Sequence, residues 1–225
     1  MSTLTAERIA QNLATVRARL DAAIARAGRE PGSVRLVAVT KYVGVPETQA
    51  LLAAGAHDLA ENRVEKSAPK IDAIGREAAR WHMVGHVQRR KAREVAAYFD
   101  TCDAVDRVEL AEALQRRCAQ QDRTLDVLVE LNIAGEEQKH GLAPGELEEA
   151  LRAMQAFDRL RLRGVMTLAP YGAPEATLRQ VFRTLRQLAD VHGLPECSMG
   201  MTDDFEIAVE EGSTEVRIGR ALYEE

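Results

Sequence analysis

Val127-Leu128-Val129-Glu130-Leu131 is apolar on both faces apart from one carboxylate, and a strand of that kind needs cover on both sides. Helices give a parallel sheet such cover, because each strand is joined to the next by a crossover. Outward from the run at 125 to 133, further candidate strands lie at 34 to 41, 58 to 62, 80 to 86, 101 to 106, 161 to 169, 196 to 200 and 215 to 219, eight in all. The segments between them read as helices: Pro46 to Ala54 closed by Gly55, Arg63 to Ala79, Arg89 to Phe99, Val108 to Gln121, Pro144 to Phe157, Glu175 to His192, and Asp204 to Glu211 closed by Gly212. Pro46 and Pro144 stand where a first helical turn tolerates proline, and the glycines where a left-handed cap is wanted. Ile9, Leu13, Val16, Leu20 and Ile24 recur at helical spacing ahead of all this, with Gly28 as the stop. Eight strands alternating with helices predict an α/β fold: one (β/α)8 TIM-type barrel over residues 1–225 with an extra N-terminal helix. An open doubly wound sheet competes less well, since no Gly-x-Gly-x-x-Gly follows the first strand.

Composition bounds the function. The 225 residues carry a net charge of -5, which leaves no basic excess to displace phosphate counterions and argues against nucleic acid. No apolar stretch approaches the roughly 20 residues of a membrane span. Met1 to Glu7 lacks a basic segment ahead of an apolar one, so no secretion signal is expected. Cys102, Cys118 and Cys197, without a Cys-x-x-Cys, form neither a disulfide framework nor a zinc site. A cytoplasmic protein is expected.

Barrels of this class place their chemistry at the C-terminal strand ends. Five lysines stand against 25 arginines, and four of the five fall in segments that read as helix or polar loop. Lys41 is the exception, ending the run Val34-Arg35-Leu36-Val37-Ala38-Val39-Thr40. An amine there can lose its proton and attack an aldehyde, although a lysine also snorkels readily to water. The last two strand ends supply a second half. Ser198-Met199-Gly200-Met201-Thr202-Asp203-Asp204-Phe205-Glu206 runs from strand into helix, with Asp203 and Glu206 at capping-box spacing. Glu215-Val216-Arg217-Ile218-Gly219-Arg220 ends the eighth strand on a glycine that lets a ligand approach the backbone. Loops after strands seven and eight are common phosphate sites. Taken singly these residues read as caps and turns. Taken with Lys41 they imply a ligand bearing an aldehyde and a phosphate, and pyridoxal 5'-phosphate has both.

Leu36-Val37-Ala38-Val39-Thr40-Lys41, Glu61-Asn62, Trp81-His82-Met83-Val84-Gly85-His86-Val87-Gln88, Arg163-Gly164-Val165-Met166, Ser198-Met199-Gly200-Met201-Thr202-Asp203-Asp204, Gly212-Ser213-Thr214 and Val216-Arg217-Ile218-Gly219 together resemble the pyridoxal phosphate homeostasis protein family. The resemblance covers nearly the whole chain. It implies a barrel like the N-terminal domain of alanine racemase, with Lys41 as the Schiff-base lysine. It also implies Ser198, Gly219 and nearby amides (with Met199 beside them) at the phosphate, Met166 against the cofactor, and Arg217 beside the pyridine nitrogen. An arginine there keeps that nitrogen unprotonated and weakens the ring as an electron sink. Two positions depart from the family pattern: Ala60-Glu61-Asn62-Arg63 stands for Gly-Glu-Asn-Tyr, and Arg220 for a small hydroxyl residue. Arg220 then either pairs with the phosphate or points to solvent.

His82 and His86 are four apart, but Trp81 to His86 reads as strand and no third ligand is in view, so His82 is expected to face the cofactor ring or the core and no metal is expected. Asn62 and Asn132 serve equally as ligand contacts or turn formers. Gln88-Arg89-Arg90-Lys91-Ala92-Arg93 is a dense basic cluster of the kind that forms a solvated helix face. Lys139, near Gly141, is a secondary amine for transient cofactor contact. The cysteines lack an activating neighbour. Three functions compete. The first is a carrier that holds pyridoxal phosphate and passes it to apoenzymes without robust turnover. The second is a fold-type III racemase or decarboxylase, which adds a β-domain and a second base, whereas here Glu225 is six residues past Gly219. The third is a Schiff-base aldolase, which needs a carboxylate and a second lysine near the reactive amine. The carrier is the expectation, as a monomer.

Overall fold

A computed structural model describes residues 5–136 and 138–224. Eight parallel strands close into a barrel in sequence order. They are β1 (Arg35–Val39), β2 (Asp58–Glu61), β3 (Arg80–Met83), β4 (Thr101–Val105), β5 (Leu125–Glu130), β6 (Leu160–Met166), β7 (Glu196–Ser198) and β8 (Glu215–Ile218). The helices are α1 (Ala6–Arg26), α2 (Val45–Ala53), α3 (Val64–Ile74), α4 (Ala92–Tyr98), α5 (Val108–Gln120), α6 (Leu147–Met154), α7 (Glu175–Val191) and α8 (Phe205–Glu210). β8 pairs with β1 from Arg35↔Glu215 to Ala38↔Ile218 and so seals the barrel. The alternation of helix and strand read from the sequence is therefore the architecture, and it is the closed form.

The extra helix has a structural place. Seven helices connect eight strands, which leaves one gap in the outer ring beyond β8. α1 fills it, packing against α2, α8 and the turn at Arg220–Leu222. Its stripe of Ile9, Leu13, Val16, Leu20, Ala23 and Ile24 is buried, and the larger of these side chains each contribute on the order of 1.5–3 kcal/mol. Thr5 caps its start through Oγ1, which accepts from Arg8 N at 3.1 Å, and Gly28, at φ +64°, ends it.

Strands stop short of the apolar runs that announce them, and always at the C-terminal end. β1 ends at Val39 rather than Lys41, β3 at Met83 rather than His86, β5 at Glu130 rather than 133 and β6 at Met166 rather than 169. One further backbone bond to a neighbouring strand follows at each of these ends: Thr40 N to Ala60 O, Val84 N to Glu61 O, Leu131 N to Met166 O and Thr167 N to Ser198 O. α3 likewise ends at Ile74, because Gly75 at φ +98° breaks the helix read as far as Ala79. The capping box expected between Asp203 and Glu206 does not form. α8 starts one residue later, Asp204 Oδ1 accepts from Met201 N at 2.6 Å, Asp203 pairs with Arg220 and Glu206 with Arg19.

Period-two alternation sends Leu36, Ala38, Trp81, Met83, Val216 and Ile218 into the layer under the helices and the residues between them into the barrel. The lumen holds two small apolar clusters: Val37, Val39 and Ala60 with Val84, and Ala104, Leu128 and Met166 with Leu168. Polar and charged groups fill it further: His82, Asp103, Ser198, Glu215 and Arg217, all buried. Among the described residues no helix is long and apolar enough to cross a membrane.

Candidate functional site

Lys41 is the second residue past β1, half-buried, with its amine 4.8 Å from the centroid of the Tyr42 ring. It makes no ion pair with the described residues. Beneath it lies a buried constellation absent from the sequence reading. Lys70 of α3 donates from Nζ to the Thr40 carbonyl at 2.7 Å and to Glu61 Oε1 at 2.6 Å, and Thr40 Oγ1 donates to the same carboxylate oxygen at 2.6 Å. Lys70 thus holds the peptide group that leads into Lys41. Helical spacing was the available signal: Val64, Ser67 and Ile71 share the buried face of α3 with Lys70.

The loops after β7 and β8 present backbone. Gly200 sits at φ +98°, where an added Cβ would lie 2.7 Å from the Ala208 Cβ, so glycine is required there. At Gly219 an added Cβ would make an ordinary contact with Val39, 3.4 Å from its Cβ. Among the described residues the N–H groups of Gly219, Arg220 and Ala221 have no hydrogen-bond acceptor. Adjacent backbone donors of this kind are the groups from which anion sites are built. The Arg220 guanidinium itself is exposed and taken by Asp203 and by Glu224 at 3.3 Å. Of the two expectations for Arg220, the structure has its side chain in surface ion pairs.

Arg217 is 4% exposed and points into the lumen below these amides. It donates to Ser198 Oγ and, at 2.9 Å, to the Thr167 carbonyl. Burial pulls the guanidinium down from its ordinary range, opposed by Glu215, Asp103 and Glu130. Ser198 accepts from Arg217 and donates to Glu215 Oε1 at 2.7 Å. Its hydroxyl thus links Arg217 to Glu215. Met199 faces the other way: its side chain lies in the layer under the helices, and its amide is bonded to Glu215 O at 3.0 Å.

His82 lies at the floor of the lumen. Its Nδ1 is 3.1 Å from Asp103 Oδ2 and its Nε2 is 3.2 Å from Asp58 Oδ1, so both ring nitrogens are engaged away from the mouth. Burial is the largest single influence and opposes its charge, but Asp103, Asp58 and Glu215 together outweigh it, and the imidazolium is lifted to about 10. Asp103, despite its own burial, is held low by that charge. The pair is ionic. Of the other sequence candidates, Asn62 follows β2 and its backbone abuts Gly85, where an added Cβ would lie 2.3 Å from the Asn62 carbonyl oxygen. Met166 is buried at the end of β6 in the second luminal cluster. Asn132 forms a turn, exchanging bonds with Glu136 N and O. Lys139 is tied down by Glu136 and the Ala169 carbonyl. The cysteines are buried, and burial pushes the Cys197 thiol up to about 11.

The structure thus brings Lys41, Asn62, Met166, Arg217, Gly219 and the Arg220 amide to the C-terminal half of the barrel. Ser198 joins them through its bond to Arg217, whereas Met199 faces outward and His82 braces the floor.

Residues 7–225 match the family model described as alanine racemase, N-terminal domain. The chain is 37% identical over 217 residues to the pyridoxal phosphate homeostasis protein of Pseudomonas aeruginosa, covering 96% of this chain and 94% of the relative. It is 36% identical over 226 residues to the protein of the same name from Escherichia coli K12, covering 96% and 95%. The solved structure of PipY from Synechococcus elongatus PCC7942 with PLP bound superposes with a TM-score of 0.84 at 29% identity, over 96% of this chain and all of that one.

Proposed function

This chain belongs to the pyridoxal phosphate homeostasis protein family, on the alanine racemase N-terminal domain, and on that premise we propose that it binds pyridoxal 5'-phosphate as a Schiff base on Lys41. In this reading it serves as a carrier that limits the free aldehyde and hands the cofactor to apoenzymes, as a monomer in the cytoplasm. The observation that carries the proposal is the pairing at adjacent strand ends of an amine free of carboxylates with three N–H groups free of acceptors. The residues fit the group. Gly219 leaves room that a Cβ would fill, the amides of 219 to 221 suit a phosphate, and Arg217 is fixed by two bonds in the lumen. Bound pyridoxal phosphate supplies a reversible aldehyde and an electron-withdrawing ring.

The division of work among this chain's residues follows. Lys70 and Glu61 fix the backbone ahead of Lys41, Ser198 and Glu215 fix Arg217, and Gly200 lets the loop after β7 pack closely on α8. Arg217 beside the ring nitrogen has no proton to give, since guanidinium does not ionise at ordinary pH. That favours retention of the cofactor over carbanion chemistry. The test is borohydride reduction of the purified protein followed by peptide mass mapping. The mass of the reduced cofactor on the peptide containing Lys41, and its loss in Lys41→Ala, is the expected result. Label on another lysine overturns the attachment, and efficient racemase or decarboxylase turnover of any amino acid overturns the carrier.

A further inference from the structure

A second set of side chains stands on the C-terminal face, outside the constellation around Lys41. His86 lies in the loop after β3, Asp106 directly after β4, and His140 in the loop between β5 and α6. His86 Nδ1 is 2.7 Å from Asp106 Oδ2 and His140 Nδ1 is 3.9 Å from the same oxygen. The two imidazoles are stacked, centroids 3.8 Å apart and planes 16° apart, and one ligand atom from each of the three residues lies within 4.8 Å of the others. Asp106 is buried while both histidines reach solvent. Its carboxylate is also aimed: Oδ1 pairs with Arg107, which in turn holds the Val87 carbonyl at 2.8 Å.

We propose that His86, Asp106 and His140 form a binding site for a divalent transition metal ion of the zinc class. Two neutral imidazoles and one carboxylate are the donor set such ions take, with water from the exposed side completing four-coordination. Binding exchanges the His86 to Asp106 hydrogen bond for two bonds to the ion, and the rings splay apart about χ2 so that both lone pairs meet it. Arg107 beside the carboxylate opposes hard cations, which depend on charge and oxygen ligands, and leaves the preference to ions that bond well to imidazole. The ion would tie the loop between β5 and α6 to the ends of β3 and β4. His82, although four residues from His86, is no part of this: it is pinned on the floor of the lumen. The third ligand comes from residue 140, beyond the reach of any local spacing.

The experiment is isothermal titration of the purified, cofactor-loaded protein with Zn2+ and, separately, with Mg2+. The wild type is expected to bind one equivalent of Zn2+ at micromolar affinity or tighter and to ignore Mg2+, with each of His86→Ala, His140→Ala and Asp106→Asn weakening Zn2+ by about tenfold or more. Both histidines are solvent-facing, so the His variants should fold, and their circular dichroism and melting without metal are run alongside. A Zn2+-induced rise in melting temperature that vanishes in His86→Ala/His140→Ala gives an independent readout. Absence of stoichiometric Zn2+ binding to the wild type, or equal binding by the folded double variant, overturns the proposal.

Discussion

Replacing His82 by glutamine removes the cation from a buried pair while keeping a hydrogen-bonding side chain of similar reach. The imidazolium is lifted to about 10 in the folded protein, against about 6.5 in an unfolded chain. A group whose folded value is raised contributes stability that is complete below the unfolded value and is lost as pH climbs to the folded one. The full difference is worth about 5 kcal/mol at about 1.4 kcal/mol per unit. That agrees with the roughly 3–5 kcal/mol for removing one partner of a buried ion pair. At pH 6 the variant should therefore lie several kcal/mol below the wild type. By pH 9 about 3 kcal/mol of that gap should have closed, because the wild type alone has lost its linkage. Urea unfolding followed by circular dichroism at both pH values, with equal m-values, measures the gap directly. A gap of the same size at the two pH values would refute the reasoning and make His82 a neutral hydrogen-bonding residue.

Three further substitutions test the site. Glu61→Gln leaves the Lys70 ammonium buried without its counter-charge, so it should cost about 3–5 kcal/mol in urea unfolding and slow the capture of added pyridoxal phosphate, whereas a loss below about 1 kcal/mol would place the Lys70 amine in contact with water. Gly85→Ala drives a methyl to within 2.3 Å of the Asn62 carbonyl oxygen; the backbone must move, and a loss of about 1–3 kcal/mol is expected, with unchanged stability counting against the packing described. Arg220→Ser breaks only exposed ion pairs, with Asp203 and Glu224, and keeps the amide, so fluorescence titration of the apoprotein should give equal or tighter cofactor binding. Weaker binding would show that the guanidinium itself holds the anion.

The alternation of strands and helices was legible because it is written in local hydrophobic period, and α1 because its stripe from Ile9 to Ile24 runs over about four turns. Strand ends were not, since the hydrophobic period that announces a strand does not mark where the ladder stops ahead of Lys41, His86 and Asn132. Lys41, Arg217 and Gly219 stood out in the sequence through the motifs around them, and all three lie at or beside the C-terminal ends of β1 and β8. A side chain's direction was harder to read. Ser198, the last residue of β7, and Met199, the next one along, face opposite sides of the barrel wall, and the pairing of Ser198 with Glu215 fixes which side is which. Lys70 was passed over as a helix lysine because its partners, Thr40 and Glu61, belong to other segments. The meeting of His86 with His140 depends on three separate loops reaching one corner.

The seam between β1 and β8 has a consequence for how the chain comes together. During synthesis β1 is among the first segments to emerge and β8 among the last, so the pairing that seals the barrel has the greatest sequence separation of any strand contact. Loop-closure entropy makes such contacts slow to form. Until it forms, the row of backbone groups from Arg35 to Ala38 that will bond β8 is an open edge, ready to template on another nascent chain. α1 emerges before that edge and packs, in the finished molecule, across the gap beside it. A helix made first and seated over the last joint can act as a temporary guard, and mutants that weaken its apolar stripe should aggregate during refolding before they lose much equilibrium stability.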